Sequence, residues 1–208
     1  MSYEINTFVG LGSPGLDSKE EYRLQYRRAD ITAKFIKEQD CDMSVVLDVA
    51  GPSEIGKAIC DKYRLGVYAY DRHSSLVFNP HKLLAGTSGD LDGVWWPQTG
   101  VVQTVLMTEV LEHILNPLNF MKELKEAVVF DDLIMSWPNR PSWLWTRNHF
   151  HEMDIHRFRY LCKLSGYEII RVMKRAQPET WYNRFRGIRP FFRSFCNRHY
   201  WAHLRPIR

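Results

Sequence analysis

Two short stretches hold the residues best suited to chemistry. Thr108-Glu109-Val110-Leu111-Glu112-His113 places two carboxylates and an imidazole close together, and Asn148-His149-Phe150-His151-Glu152 gathers two imidazoles and a carboxylate. An imidazole, with an unperturbed pKa near ~6.5, is the natural acceptor for a proton leaving a hydroxyl or amine at neutral pH. His149, His113 and His151 are therefore the candidate bases, while His73, His81 and His156 stand in poorer surroundings. The same side chains suit a second chemistry. Glu109, Glu112 and His113, with His149 as a further imidazole, make a mixed oxygen and nitrogen set able to hold Mg²⁺ or Mn²⁺. A plain base is preferred over the metal, and a surface His or a capping Glu is the structural alternative for each residue.

Both stretches follow apolar runs that read as strands. Val101 to Met107 is nearly continuous in β-branched and apolar residues, as a buried central parallel strand should be. Leu133 to Ser136 forms the next strand, ending in Trp137-Pro138-Asn139-Arg140. Asn116-Pro117 starts a helix, with Leu118, Met121, Leu124 and Val128 at helical spacing. Asp154 caps another, with Phe158, Leu161 and Cys162 inward and Gly166 at its close, and Tyr167 to Met173 is one more strand.

Upstream, VVLDVAGPSEIG at Val45 to Gly56 reads as a first strand entering a turn that leaves backbone N–H groups free at a helix N-terminus. Gly66 to Asp71 reads as a second strand ending in an acid, and residues 72–100 leave room only for a short third strand, with Trp95-Trp96-Pro97 covering an apolar edge. Before these, Ser18-Lys19-Glu20-Glu21 matches a capping box that opens a helix from about Ser18 to Gln39, preceded by the glycine-rich loop Gly10 to Gly15. Strands and helices alternate, so the fold class is α/β with a mainly parallel sheet and right-handed crossovers. Ligands of such sheets lie beyond the carboxyl ends of the strands. Asp48, Ala50, Gly51, Ser53 and Glu54 thus stand where a nucleoside-containing cofactor would lie, and Asp71 where a carboxylate can accept from both ribose hydroxyls.

The 208 residues, 45% hydrophobic and 25% charged, suit one domain with a sizeable core. No apolar run approaches the ~20 residues that span a bilayer, and the N-terminus lacks a signal-peptide pattern. The four cysteines lie far apart without a CxxC pair. The expectation is a soluble, unprocessed, cytoplasmic chain in a reducing compartment. Residues 171–208 carry ten Lys/Arg against Glu179 alone, a charge of +9 that leaves −5 for the rest of a chain whose total is +4. Those arginines are interleaved with Trp181, Tyr182, Phe185, Phe191, Phe192, Phe195, Tyr200 and Trp201. The pattern suits an anionic partner, whether RNA, a glycan phosphate or a membrane surface that would hold the protein peripherally, or else aromatics that finish the core. The expected organisation is a core over residues 1–175, including the N-terminal helix, and a basic aromatic extension over 176–208 in which the last strand can lie.

Taken in order, these pieces resemble the class I S-adenosylmethionine-dependent methyltransferases over about Val45 to Lys174. The most specific is EVLEHILNP at Glu109 to Pro117, similar to the segment after strand four in small-molecule, sugar and quinone-pathway O-methyltransferases. VVLDVAGPSEIG stands where that family has its glycine-rich first motif, YAYD where it has its ribose-binding acid, GDLD where it has the acid near adenine, and IMSWPN after strand five. The resemblance implies a Rossmann-like, doubly wound, mainly parallel seven-stranded sheet closed by an antiparallel hairpin. It implies S-adenosylmethionine as cofactor, held by Asp48, Ala50, Gly51, Ser53, Asp71, Asp90, Leu91, Thr108 and Glu109, and O-methylation of a small molecule, saccharide or lipid-linked intermediate. Relatives acting in quinone pathways and on small-RNA 3′ ends bind a divalent ion with a Glu-x-x-Glu-His segment and a later His. The first motif departs from the family, because Ala50, Pro52 and Glu54 occupy the positions of its three alternating glycines. Pro52 removes a donor and Glu54 adds negative charge. An RNA methyltransferase using the basic tail and a non-catalytic, methyltransferase-like binding protein are the two alternatives.

Overall fold

The computed structural model describes residues 18–49, 66–71, 87–88, 102–139, 149–176 and 198–208. Ala50, Gly51, Ser53, Asp90, Leu91, the Gly10 to Gly15 loop, Trp95-Trp96 and residues 177–197 of the basic segment lie outside them. The strands are β1 (Val45–Val49), β2 (Gly66–Asp71), β3 (Thr87–Ser88), β4 (Thr104–Thr108), β5 (Asp132–Asn139), β6 (Tyr167–Ala176) and β7 (Arg198–Pro206). The described helices are α1 (Ser18–Gln39), α2 (Pro117–Ala127) and α3 (Ile155–Ser165), with a 3-10 turn at Leu111–His113. The strands form one mixed sheet in the order β3-β2-β1-β4-β5-β7-β6. The first five run parallel, and β7 lies antiparallel between β5 and β6.

Local chemistry accounts for the helix ends. The Asn116 side chain accepts from the Asn119 amide before Pro117, and Asp154 accepts from the amides of His156 and Arg157, satisfying donors that a first helical turn leaves open. Gly166 closes α3 in the left-handed region at φ 77, which a residue without Cβ adopts freely.

Side-chain alternation divides the core into two layers. Leu133, Met135 and Trp137 of β5, with Tyr200, Ala202 and Leu204 of β7, face the layer of α2 and α3. Ile134 and Trp201 face the layer of α1, against Ala33 and Ile36. The α1 side also carries polar rungs. Trp201 Nε1 donates to Thr32 Oγ1 at 2.9 Å, while His199 and His203 pair with Glu109 and Asp132.

Three boundaries differ from expectation. β4 begins at Thr104 rather than Val101, because Val102 and Gln103 bond to Val129 and Val45 outside the strand ladder. β6 runs to Ala176, drawn out by its pairing with β7. β5 continues through Trp137, Pro138 and Asn139, where Pro138 stands opposite His199. Within the expected C-terminal extension, Arg198–Pro206 is β7, with Tyr200 and Trp201 buried in the core. Arg205 Nε donates to Asp132 at 2.9 Å and Arg208 to the Phe130 carbonyl at 2.8 Å, so these arginines tie the end of β7 to the start of β5.

Candidate functional site

The tip of β4 turns sharply. Glu109 takes φ 58, an unusual conformation for a residue with a side chain, and leads into the 3-10 turn at Leu111–His113. The 149–153 segment docks on this turn. The amides of Phe150 and His151 donate to the Glu112 carbonyl at 2.8 and 3.4 Å, and the His151 ring bonds the Leu115 carbonyl at 3.2 Å. Its far end is fixed by β5, where Trp137 Nε1 and Asn139 Nδ2 both donate to the Met153 carbonyl, at 2.9 and 3.0 Å.

This docking unites the two stretches singled out in the sequence. The His113 and His149 rings meet edge to face, centroids 4.8 Å apart at 84°. One ligand atom from each of Glu112, His113 and His149 lies within 4.8 Å of the others. Glu152 Oε1 is 3.6 Å from His149 Nδ1, and both Glu152 oxygens are buried without a hydrogen bond among the described residues. The Glu152 carboxyl is thus the side chain set against the Nδ1 edge of the His149 ring. The His151 ring, by its bond to the Leu115 carbonyl, ties the loop down.

Glu109 does not join this group. Its carboxylate accepts from Ser136 Oγ at 2.9 Å, from Arg28 at 3.3 Å and from a short bond with the buried His199. Burial alone would raise its pKa, but the charges of His199 and Arg28 and the bonds from His199 and Ser136 outweigh it and hold the carboxyl well below the usual range. Of the Glu109, Glu112, His113 and His149 set, the fold gathers the last three, while Glu109 ties β4 to α1, β5 and β7. Nothing at positions 28, 136 or 199 marked them beforehand, because this network joins residues 81 and 90 positions apart.

One test follows from this geometry. Glu109→Ala should destabilise the fold by about 3 kcal/mol, since it strands Arg28 and His199 without their counter-charge. Glu109→Gly should cost about 1 kcal/mol less, because glycine adopts a positive φ without a Cβ clash. Urea denaturation compares them, and an alanine variant as stable as the glycine one would contradict the assigned backbone. The gap to the parent should be full above the ordinary carboxylate pKa of ~4.3 and close as pH falls through the depressed folded value.

The second feature is the crevice between β1 and β4, where the strand order reverses and ligands of open parallel sheets bind. Asp48 is buried in β1, and Asp71 ends β2 one residue beyond the Val49–Tyr70 pair. Thr108 Oγ1, at the carboxyl end of β4, is buried and makes no hydrogen bond among the described residues. A buried hydroxyl without a hydrogen bond among the described residues, at the carboxyl end of β4, fits a polar ligand such as a nucleoside.

No protein-family model and no curated protein matches the chain. Solved structures do match it. A Bacillus halodurans C-125 protein described as a methyltransferase is 12% identical with a TM-score of 0.63, covering 86% of this chain and 100% of its own. Magnesium protoporphyrin IX methyltransferase from Synechocystis PCC 6803, solved with bound SAM, is 13% identical with a TM-score of 0.56, over 94% of this chain and 88% of its own. The 4+2 cyclase SpnF is 9% identical with a TM-score of 0.59, over 88% and 81%. At 9–13% identity these likenesses concern the fold, which the chain shares with S-adenosylmethionine-dependent methyltransferase structures.

Proposed function

We propose that the chain is an S-adenosylmethionine-dependent methyltransferase acting on a hydroxyl of a small molecule, saccharide or lipid-linked acceptor. The observation that carries this reading is the pairing of His113 and His149 over buried Glu152, built on the strand tips of a fold it shares with methyltransferases. When bound, the cofactor supplies a methyl group on a sulfonium, a centre that is its own leaving group. The protein's task is then to align the acceptor and remove its proton. His149 takes that proton, and Glu152 beside Nδ1 stabilises the imidazolium that results. Asp71 holds the ribose and Asp90 the adenine edge. Asp48, residues 50–53 and Thr108 meet the amino-acid end, and Glu109 fixes the tip of β4 for them.

Asp71→Ala tests the cofactor half. Losing a charge-assisted bond worth about 1.5–3 kcal/mol should weaken S-adenosylhomocysteine binding at least ~10-fold. Unchanged affinity in a folded variant would place the ribose elsewhere.

A second reading is favoured by one observation, the convergence of Glu112, His113 and His149 ligand atoms. These residues suit Mg²⁺ or Mn²⁺, which would lower the pKa of an acceptor hydroxyl directly. On that reading chelation abolishes activity and either ion restores it. On the plain-base reading chelators leave activity intact.

A further inference from the structure

A second set of ligating side chains lies at the other end of the sheet. Asp132 opens β5 and Asn139 closes it, so the two ends stand about 20 Å apart along the strand. Around Asp132, Cys41 Sγ lies 3.8 Å from His203 Nε2, and His203 Nε2 lies 2.7 Å from Asp132 Oδ1. The three ligand atoms all fall within 4.8 Å of one another. His203 and Asp132 are 1% and 6% exposed, whereas Cys41, just past the end of α1, is half-buried. The set therefore has two fixed interior ligands and a third reachable from solvent.

Tetrahedral coordination with bonds of about 2.0–2.3 Å spaces its ligand atoms about 3.3–3.7 Å apart. The Cys41 to His203 separation already has that size, and the His203 to Asp132 pair must open by about 0.6 Å as an ion takes the place of the proton between them. Thiolate, imidazole and carboxylate together select a borderline-soft ion over Mg²⁺ or Ca²⁺. We propose that Cys41, Asp132 and His203 form a binding site for Zn²⁺ or a chemically similar divalent transition ion, with the fourth position left to water on the exposed Cys41 side. Arg205, which donates to Asp132 Oδ1 at 2.9 Å, stays as an outer partner orienting that carboxylate.

Burial, with the charge of Asp132 adding to it, pushes the Cys41 thiol up to about 12, so the metal-free protein keeps the S–H proton. Binding proceeds with loss of that proton to solvent as the sulfur–metal bond forms. The ion would clasp the chain just past α1 to β5 and β7, the strands that also position the candidate active site, without touching that site.

Cobalt titration of metal-free, reduced full-length protein tests this, because a cobalt–thiolate bond gives a charge-transfer band in the near ultraviolet that oxygen and nitrogen ligands do not. The expected result is a band saturating at one Co²⁺ per chain, bleached by Zn²⁺, and lost in Cys41→Ser with unchanged far-ultraviolet dichroism. Asp132→Asn should weaken Co²⁺ binding at least ~10-fold. Failure of the parent to develop the band would leave the cluster a hydrogen-bonded clasp and overturn the site. A band surviving in full in Cys41→Ser would assign it to another cysteine and overturn it equally. Neither result depends on methyl transfer or on Glu112, His113 and His149.

Discussion

His149→Ala is expected to lower methyl-transfer turnover by ~10²- to 10⁴-fold, the range for removal of a general base. His149 is 8% exposed and stands beside Glu152, so its ring has a fixed place and a carboxylate to stabilise the charge it acquires. Its pH profile gives a second readout. On the plain-base reading, an acidic limb in the parent's pH profile should disappear in the variant. Chelation separates the two accounts of the same residue: a chelator-insensitive parent with a base-deficient variant supports direct proton removal, whereas chelator-killed activity regained with Mg²⁺ assigns His149 to an ion. Turnover within a few-fold of the parent, with the acidic limb retained, would remove His149 from the chemistry.

Trp137→Ala should cost about 3–5 kcal/mol of stability, the range for truncating a large aromatic in a close-packed core. Trp137 is 1% exposed and stacks on Phe158 of α3 at 4.0 Å and on Tyr200 of β7 at 5.2 Å. It therefore joins helix, strand and hairpin in one layer. For a chain of this size the loss corresponds to a fall in Tm of roughly 10 °C. Trp137→Phe keeps most of the stacking area and loses the bond to the Met153 carbonyl, which still accepts from Asn139, so its cost should be about 1 kcal/mol. Differential scanning calorimetry distinguishes the two. An alanine variant no less stable than the phenylalanine one would mean that the ring does not carry this layer. Because the Met153 carbonyl anchors the 149–153 segment, the alanine change should also loosen His149 and reduce turnover beyond its effect on folding.

Local signals in the sequence were legible wherever one residue acts through its own backbone or periodicity. α1 spans Ser18–Gln39 as its spacing indicated, Asn116 and Asp154 cap their helices, and Gly166 ends α3. The end of β5 was not legible. Pro138 reads as a breaker, yet it stands in a strand opposite His199, a pairing set by residues 61 positions away. β7 was legible only in part. The basic extension could hold the last strand and its aromatics could finish the core, but the bounds of that strand, in which buried His199, Trp201 and His203 alternate with Tyr200, Ala202 and Leu204, depend on pairing with β5 and β6 rather than on local pattern. For the candidate site, the sequence named His113 and His149 and placed both after strand tips, and the fold brings them together. It could not reveal that Glu109 would be drawn away by Arg28 and His199, since long-range ion pairs leave no trace in local pattern.

A cyclase shares this fold with the methyltransferases, so architecture alone does not carry the activity, and the cofactor must be tested directly. The decisive measurement is isothermal titration calorimetry of the full chain with S-adenosylhomocysteine. Saturable one-site binding, weakened at least ~10-fold in Asp71→Ala, is the predicted result. A folded parent that gives no binding heat at millimolar ligand across several temperatures would contradict the account and leave a methyltransferase-like fold without the methyltransferase's cofactor.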